Sequence, residues 1–215
     1  MLTRRLPLFV IAIIISGILL TNIPSTQAVD CSGTVDRANE KHKLAVQQHQ
    51  PGTDSYLAAL YKIEDELFSA MKQCPENSYA VSTMGELQLS LGQIPIAQLY
   101  GIKALEMDSQ NWQAHYVLGG ALNLQKKYTE GLQHLKQASE LQPENYSLLV
   151  NLCSSYEKNK QYPEAIKACS TAIEKGPYNI RGTAYKLRAL AYTGNNEPVL
   201  AEKDNQLARE FGIQK

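Results

Sequence analysis

The chain has 215 residues, 44% of them hydrophobic, and its 21 basic side chains balance its 21 acidic ones. This length fits one domain, or one extended array in which each unit packs only on its neighbours. No block of basic residues stands out, so the electrostatic footprint of a nucleic-acid-binding protein is missing.

The N-terminal segment 1–28 has the pattern of an export signal. An apolar run from Leu6 to Leu20 follows Arg4 and Arg5, and the small residues Thr26 and Ala28 have the spacing of a signal-peptidase site. We therefore predict a Sec signal peptide over 1–28, cleaved after Ala28. Without it, the remaining chain carries 19 basic and 21 acidic residues, a net charge of −2.

The alternative is that this apolar run stays in the chain as a membrane anchor. It is short for the roughly 30 Å thickness of a bilayer's hydrocarbon core, and it contains Pro7 and Gly17. Membrane association is expected only if the segment is not cleaved.

Residues 29–76 are predicted to form a helical hairpin. One helix runs to about Gln50, the sequence PGTD makes the turn, and a second helix ends at the sequence CPEN.

A 34-residue period governs the next part of the chain, and such a period sets the whole fold. It recurs at six positions in three units: Met84, Leu118 and Leu152; Gly85, Gly119 and Cys153; Ile94, Tyr128 and Tyr162; Ala97, Gly131 and Ala165; Ala104, Ala138 and Ala172; Ser109, Pro143 and Pro177.

Each unit reads as two helices joined by a short polar turn. Apolar residues recur at helical spacing in two blocks, and the small residues allow the two helices to approach closely. Pro143 and Pro177 are expected to stop the second helix of their units because a proline ring cannot continue the hydrogen-bond ladder. The predicted units, together covering 77–179, are 78–111, 112–145 and 146–179.

This pattern closely resembles the tetratricopeptide repeat (TPR) family. The resemblance is carried by Leu118, Gly119, Gly131, Ala138 and Pro143 in one unit, and by the equivalent residues one period later. It implies an all-α fold, a right-handed superhelical solenoid of antiparallel helix pairs. Residues 180–215 resemble a degenerate capping repeat whose register has slipped by one residue. The first unit departs from the family pattern at Gly101 and Ser109.

The four cysteines allow three pairings. Residues equidistant from the turn of an antiparallel hairpin face each other. The midpoint of Cys31 and Cys74 lies in the turn PGTD, and the midpoint of Cys153 and Cys169 lies in the turn NKQYP. We therefore predict disulfides 31–74 and 153–169, which an oxidising compartment would preserve. The alternative is four buried free thiols.

The sequence contains no phosphate-binding glycine loop, no HExxH, no GxSxG and no EF-hand loop. His42 and His49 share a helix face and could form half a metal site, but nothing completes it, so we interpret them as solvated. His115 falls on a repeat helix with no acidic residue four positions away in either direction. His134 has Glu130 four residues before it, and we interpret that pair as a surface helix contact. The chain is expected not to be an enzyme and to bind no cofactor or metal.

By family resemblance, the first helix of each unit lines a groove that holds a peptide or a partner helix. Position 9 of the units reads Glu86, Gly120 and Ser154 and not asparagine, so the family's clamp for a C-terminal carboxylate is not assembled. The groove residues implied by the resemblance are Tyr79, Glu86, Gln113, Tyr116, Gly120, Asn123, Val150, Ser154, Glu157 and Tyr185. Tyrosine provides a large contact area with few rotamers to lose, which suits peptide binding. The same tyrosines could instead only pack the superhelix.

The sequence thus predicts an exported TPR scaffold that mediates protein–protein interaction, in assembly or maturation of envelope complexes. A periplasmic location is expected, with secretion or N-terminal anchoring as alternatives. The rival hypothesis is a ligand- or metal-binding accessory subunit of an envelope enzyme system.

Overall fold

A computed structural model describes residues 30–212, which form ten α-helices and no β-strand. The helices are α1 (Cys31–Gln48), α2 (Asp54–Gln73), α3 (Ser78–Ser90), α4 (Ile94–Met107), α5 (Trp112–Leu124), α6 (Tyr128–Leu141), α7 (Tyr146–Lys158), α8 (Tyr162–Lys175), α9 (Tyr178–Gly194) and α10 (Pro198–Glu210). The predicted signal peptide over 1–28 lies outside the described residues.

Helices of equal length recur with the sequence period. The helices α3, α5 and α7 each have 13 residues, and each begins one period after the last. Their partners α4, α6 and α8 each have 14 residues and follow the same period. Each helix packs on the next one in the chain, and α3, α5, α7 and α9 also pack side by side. The described chain is therefore an all-α solenoid of paired helices, as predicted.

Local sequence signals explain where these helices begin and end. Asn77 and Asn111 precede α3 and α5, and their side chains each accept a hydrogen bond of 3.0 Å from a backbone N–H in the first helical turn. The turns within the pairs each need one residue with positive φ: Gly92 at 74°, Lys126 at 63° and Lys160 at 60°, at equivalent positions of the three units.

Small residues set the distance between the paired helices. A methyl group added at Gly119 on α5 would lie 2.6 Å from Leu135 Cγ and 3.0 Å from the Gly131 carbonyl oxygen on α6. The repeated alanines Ala97, Ala138 and others of this set are fully buried. The hydrophobic core is accordingly a series of clusters along the array, each shared by neighbouring helices.

Two disulfides link helices that lie side by side. Cys31 is bonded to Cys74 with their Cα atoms 6.0 Å apart, and Cys153 to Cys169 with 5.4 Å. This is the pairing that the midpoints predict. The first bond ties the N-terminus of α1 to the end of α2, and the second joins α7 to α8.

At the C-terminal end, α9 and α10 are held together by an ion pair shielded from solvent. One edge of the guanidinium contacts both carboxylate oxygens, with Arg188 Nε 2.7 Å from Asp204 Oδ2 and Arg188 Nη2 3.0 Å from Oδ1. Arg188 Nη1 also donates to Ser170 Oγ on α8, so this residue bridges two pairs. Among residues 30–212, no helix is both long enough and apolar enough to cross a bilayer.

Candidate functional site

Two adjoining cavities lie along the helices α3, α5 and α7, and we call them together the groove. The larger, of about 400 Å³, is mainly lined by polar side chains and is called the polar cavity. The smaller, of about 310 Å³, is lined on one side by Leu89, Leu124 and Leu135. Tyr116 and Asn151 line both cavities and therefore mark the junction between them.

Uncharged amide groups dominate the polar cavity. It is lined by Asn39, Gln47, Gln113, Asn145, Asn151 and Asn179, together with Trp112 and Ser147. Its charged residues are Lys43 and Glu86. Each amide offers both a hydrogen-bond donor and an acceptor, which are the groups that an extended polypeptide backbone also carries.

A partly buried hydrogen-bond network shapes the floor of this cavity and joins three helices. Gln113 Nε2 on α5 donates to Glu86 Oε2 on α3 at 2.6 Å, and Ser82 Oγ donates to Gln113 Oε1 at 3.1 Å. On α1, His42 Nε2 lies 2.9 Å from Ser90 Oγ, and its Nδ1 lies 3.9 Å from Glu86 Oε1. One oxygen of Glu86 is thus hydrogen-bonded to Gln113, and the side chain stays partly exposed towards the cavity.

The expectation that His42 is solvated is wrong. The side chain is 6% exposed and lies in a stripe with Val35, Ala38 and Ala45, which α1 turns inwards. Burial lowers the pKa of His42, and the nearby charge of Glu86 opposes this only in part. Neutral His42 is therefore the form that the fold favours near pH 7.

Tyr116 at the junction is held in its neutral, hydrogen-bonding form. Burial, and then the negative charge of Glu86, raise the pKa of its hydroxyl, while a hydrogen bond with Asn151 opposes the rise. The ring packs on the cluster formed by Leu132, Leu135 and Leu152. Tyr116 therefore serves both the core and the groove wall.

The structure brings six of the ten predicted groove residues to these cavities: Glu86, Gln113, Tyr116, Gly120, Asn123 and Ser154. Four others do not line either cavity. Val150 lies in the hydrophobic core, Tyr79 is 37% exposed at the start of α3, and Tyr185 packs on Phe211 with ring centroids 5.7 Å apart.

Glu157, the fourth, has a buried carboxylate oxygen to which no described group donates a hydrogen bond, although Lys158 Nζ lies 3.0 Å from it. The repeat explains the missing donor. One period earlier, Asn123 Oδ1 accepts from Ser155 Oγ at 3.4 Å. The residue one period after Ser155 is Ala189, which has no hydroxyl.

The contribution of α1 to the groove is not among the predictions made from the sequence. Asn39, His42, Lys43 and Gln47 form one wall of the polar cavity, although the hairpin α1–α2 lacks the repeat pattern. The signal that could have revealed this is the spacing of Val35, Ala38, His42 and Ala45, which is that of a helix face turned inwards.

The stacked helix pairs and the groove along them define an all-α repeat protein. Comparison with known proteins shows which kind of repeat it contains. Models of the tetratricopeptide repeat match residues 83–139 and 122–184. The chain belongs to the tetratricopeptide repeat family.

Known proteins share this architecture at low sequence identity. The DnaJ homolog subfamily C member 3 homolog of Dictyostelium discoideum is 27% identical over 165 residues, which cover 69% of this chain. The chain spans about a third (32%) of the length of that relative.

Solved structures with this fold include a MamA protein, which is 20% identical (84% of this chain and 92% of that chain, TM-score 0.58). YrrB, described as a TPR protein with an unusual peptide-binding site, is 16% identical (86% and 93%, TM-score 0.59). PilF of Pseudomonas aeruginosa is 21% identical (85% and 80%, TM-score 0.63). At these identities the likeness shows the fold.

Proposed function

We propose that this chain is an exported, non-catalytic scaffold that binds a partner polypeptide in the groove and acts in assembly or maturation of envelope complexes. The observation that carries the proposal is the pair of adjoining cavities along three repeats, which are lined by amide side chains and share Tyr116 at their junction. Their volumes fall within the range of about 300–1,000 Å³ that is typical of ligand sites.

The chemistry of the groove favours an extended, uncharged polar segment with at least one apolar side chain. The amides of the polar cavity match backbone N–H and C=O groups. Among the described residues, the only charged ones that line it, Lys43 and Glu86, carry opposite charges, so the cavity favours neither an acidic nor a basic segment. The smaller cavity would receive the apolar side chain against Leu89 and Leu124, where Gly120 leaves a hollow.

Export is supported by the two disulfides, because such bonds persist in oxidising compartments and are rare in the cytosol. The charged, apolar and small-residue pattern of residues 1–28 supports it independently. A periplasmic location fits both observations, and an envelope role follows from that location. The lined groove, with no catalytic motif in the sequence, supports a binding role in place of a catalytic one.

The proposal is tested by filling the groove. A methyl group at Gly120 would meet only Leu89 Cδ1, at 3.2 Å, so Gly120→Leu places a side chain in the smaller cavity with little disturbance of the fold. Asn151→Asp removes an amide donor at the junction of the cavities without changing the side-chain volume. Leu99→Ser is the matched control, since Leu99 is 67% exposed on α4 and lines neither cavity.

Each protein is immobilised without residues 1–28 and incubated with an envelope extract, and recovered proteins are quantified by mass spectrometry. We expect a partner that the wild type and Leu99→Ser recover equally and that both groove variants lose. Equal recovery of every partner by all four proteins would refute binding in the groove. Tyr116→Ala is less informative because Tyr116 also packs on the core.

A further inference from the structure

Two histidines of the second repeat face each other across the pair α5–α6. His115 Nδ1 and His134 Nδ1 lie 3.0 Å apart, with ring centroids separated by 5.3 Å. Both side chains are partly exposed, and His134 lines a separate cavity of about 450 Å³. None of the groove residues takes part in this arrangement.

The repeat itself shows that this histidine pair is not needed for packing. One period earlier the same two positions hold Val81 and Tyr100, and one period later they hold Leu149 and Ala168. Three aliphatic residues and one tyrosine therefore fill this place in the first and third units of the same solenoid. The second unit is the exception, with two imidazoles where its neighbours have hydrocarbon or a phenol.

The hydrogen bonds of the pair indicate which ring nitrogen of His115 carries the proton and which has a free lone pair. His115 Nε2 lies 3.3 Å from the Ser109 carbonyl oxygen, which can only accept, so Nε2 carries the proton. The lone pair of neutral His115 is then on Nδ1. A second ring nitrogen that donates to a backbone carbonyl is the usual support of a metal-bound histidine.

We propose that His115 and His134 form a two-nitrogen binding site for a cupric ion. Imidazole nitrogens lie about 2.0–2.1 Å from a bound divalent metal, so a 3.0 Å separation corresponds to an N–metal–N angle of about 90–97°. This is close to the right angle between neighbouring ligands in the tetragonal sites of Cu²⁺ and Ni²⁺. A tetrahedral zinc site, at about 109°, corresponds to a separation of about 3.3–3.4 Å, so the observed distance is closer to the tetragonal geometry.

Binding leaves the protons balanced. In the metal-free pair, His134 Nδ1–H donates to His115 Nδ1. When the metal binds, that proton moves through solvent to His134 Nε2, and both Nδ1 lone pairs point to the metal. Each histidine binds a metal in its neutral form, because the lone pair of the ligating nitrogen must be free of a proton.

The remaining coordination positions belong to water or to Glu130. Glu130 lies one helical turn before His134 on α6 and lines the same cavity. In the described part of the chain, no group of three histidine, cysteine or acidic side chains is already arranged around a common metal position. The two imidazoles thus supply the protein's fixed ligands.

The repeat also supplies the variant that tests the site. The double variant His115→Leu, His134→Ala carries the residues of the third unit at these positions, and it is expected to fold because that unit packs with them. His134→Ala alone is the second variant. His49→Ala, which removes a partly exposed histidine just beyond α1, is the matched control.

Protein free of any affinity tag is titrated with Cu²⁺, Ni²⁺ and Zn²⁺ by calorimetry, and the copper form is studied by pulsed EPR. We expect one Cu²⁺ per chain, imidazole nitrogen signals in the EPR spectrum, and the affinity order copper, nickel, zinc. Both site variants should bind copper roughly tenfold or more weakly. The double variant should lose the imidazole signals of this site and His134→Ala those of one imidazole, while His49→Ala keeps the wild-type affinity and spectrum. Unchanged affinity and spectrum in the double variant, or zinc binding as tight as copper, would overturn the proposal.

Discussion

Neighbouring glycines on α5 provide a sharp test of the packing described above. Gly119 faces α6 and Gly120 faces the groove, so replacing each by alanine adds the same methyl group to the same helix in two environments. Either change gains about 1 kcal/mol of helix propensity, because glycine is the less favourable residue in a helix interior. The difference between the variants therefore reports the packing alone.

At Gly120 the added methyl meets only the end of the Leu89 side chain, at 3.2 Å, and that side chain can move. We expect Gly120→Ala to stabilise the chain by about 0.5–1 kcal/mol. At Gly119 the methyl lies 2.6 Å from Leu135 Cγ and 3.0 Å from the Gly131 backbone oxygen. Leu135 is 1% exposed, and the oxygen can move only if α5 and α6 separate. Overpacking of this kind costs about 1–3 kcal/mol, which offsets or exceeds the propensity gain.

The two variants should therefore differ by about 1–3 kcal/mol, with Gly119→Ala the less stable. A chain of this length shifts its Tm by about 2–4 °C per kcal/mol, so the expected gap is several degrees. Circular dichroism in the far ultraviolet during thermal and urea unfolding, without reductant, measures it. Gly119→Ala as stable as Gly120→Ala would refute the close approach of α5 and α6 at this point.

Two further predictions concern the disulfides and the buried histidine. Replacing both Cys153 and Cys169 by alanine removes a cross-link that spans 16 residues, and chain entropy predicts a loss of about 3 kcal/mol; an unchanged urea midpoint would contradict this. The pKa of His42 is lower in the folded chain than its unfolded value of about 6.5. Its contribution to stability is therefore complete above about pH 6.5 and is lost as the pH falls towards the folded-state pKa. His42→Gln should reduce the slope of unfolding free energy against pH between 7 and 5, and equal slopes in both proteins would show that His42 is not the group responsible.

The sequence predicts the ends of the helices well where the same residue signal recurs from one unit to the next. Pro143 and Pro177 each lie two positions beyond the end of a helix, at Leu141 and Lys175. The disulfide pairing can be predicted for a related reason, since the midpoint of two facing residues must lie in the hairpin turn. These inferences need only the chain's own spacing and the geometry of antiparallel helices.

The histidine pair follows the same midpoint geometry as the disulfides. The midpoint of His115 and His134 falls at 124.5, at the end of α5 and beside the turn to α6. On its own helix, His134 has only Glu130 four positions before it, and His115 has no acidic residue at that distance. The spacing of these two histidines about a hairpin turn is therefore the same signal that the paired cysteines carry.

The burial of His42 was harder to predict because α1 carries no repeat pattern and is polar in overall composition. What buries it is a narrow stripe at helical spacing, where one imidazole takes the place of an apolar residue. Its hydrogen-bond partner Ser90 is 48 residues away in the chain. No local signal identifies such a partner, since it depends on how the hairpin α1–α2 packs on the first repeat.

A repeat specifies the backbone and the close contacts of small residues, but it does not specify polar pairs between units. Asn123 and Ser155 form such a pair, whereas Glu157 and Ala189, one period later, cannot. Positions that recur explain the fold, because the same packing is needed in each unit. Function is therefore best sought where equivalent positions differ. Two positions differ in this way. One is the groove position that holds Glu86, Gly120 and Ser154 in the three units, and the other is the interhelical position that holds histidines in the second unit alone.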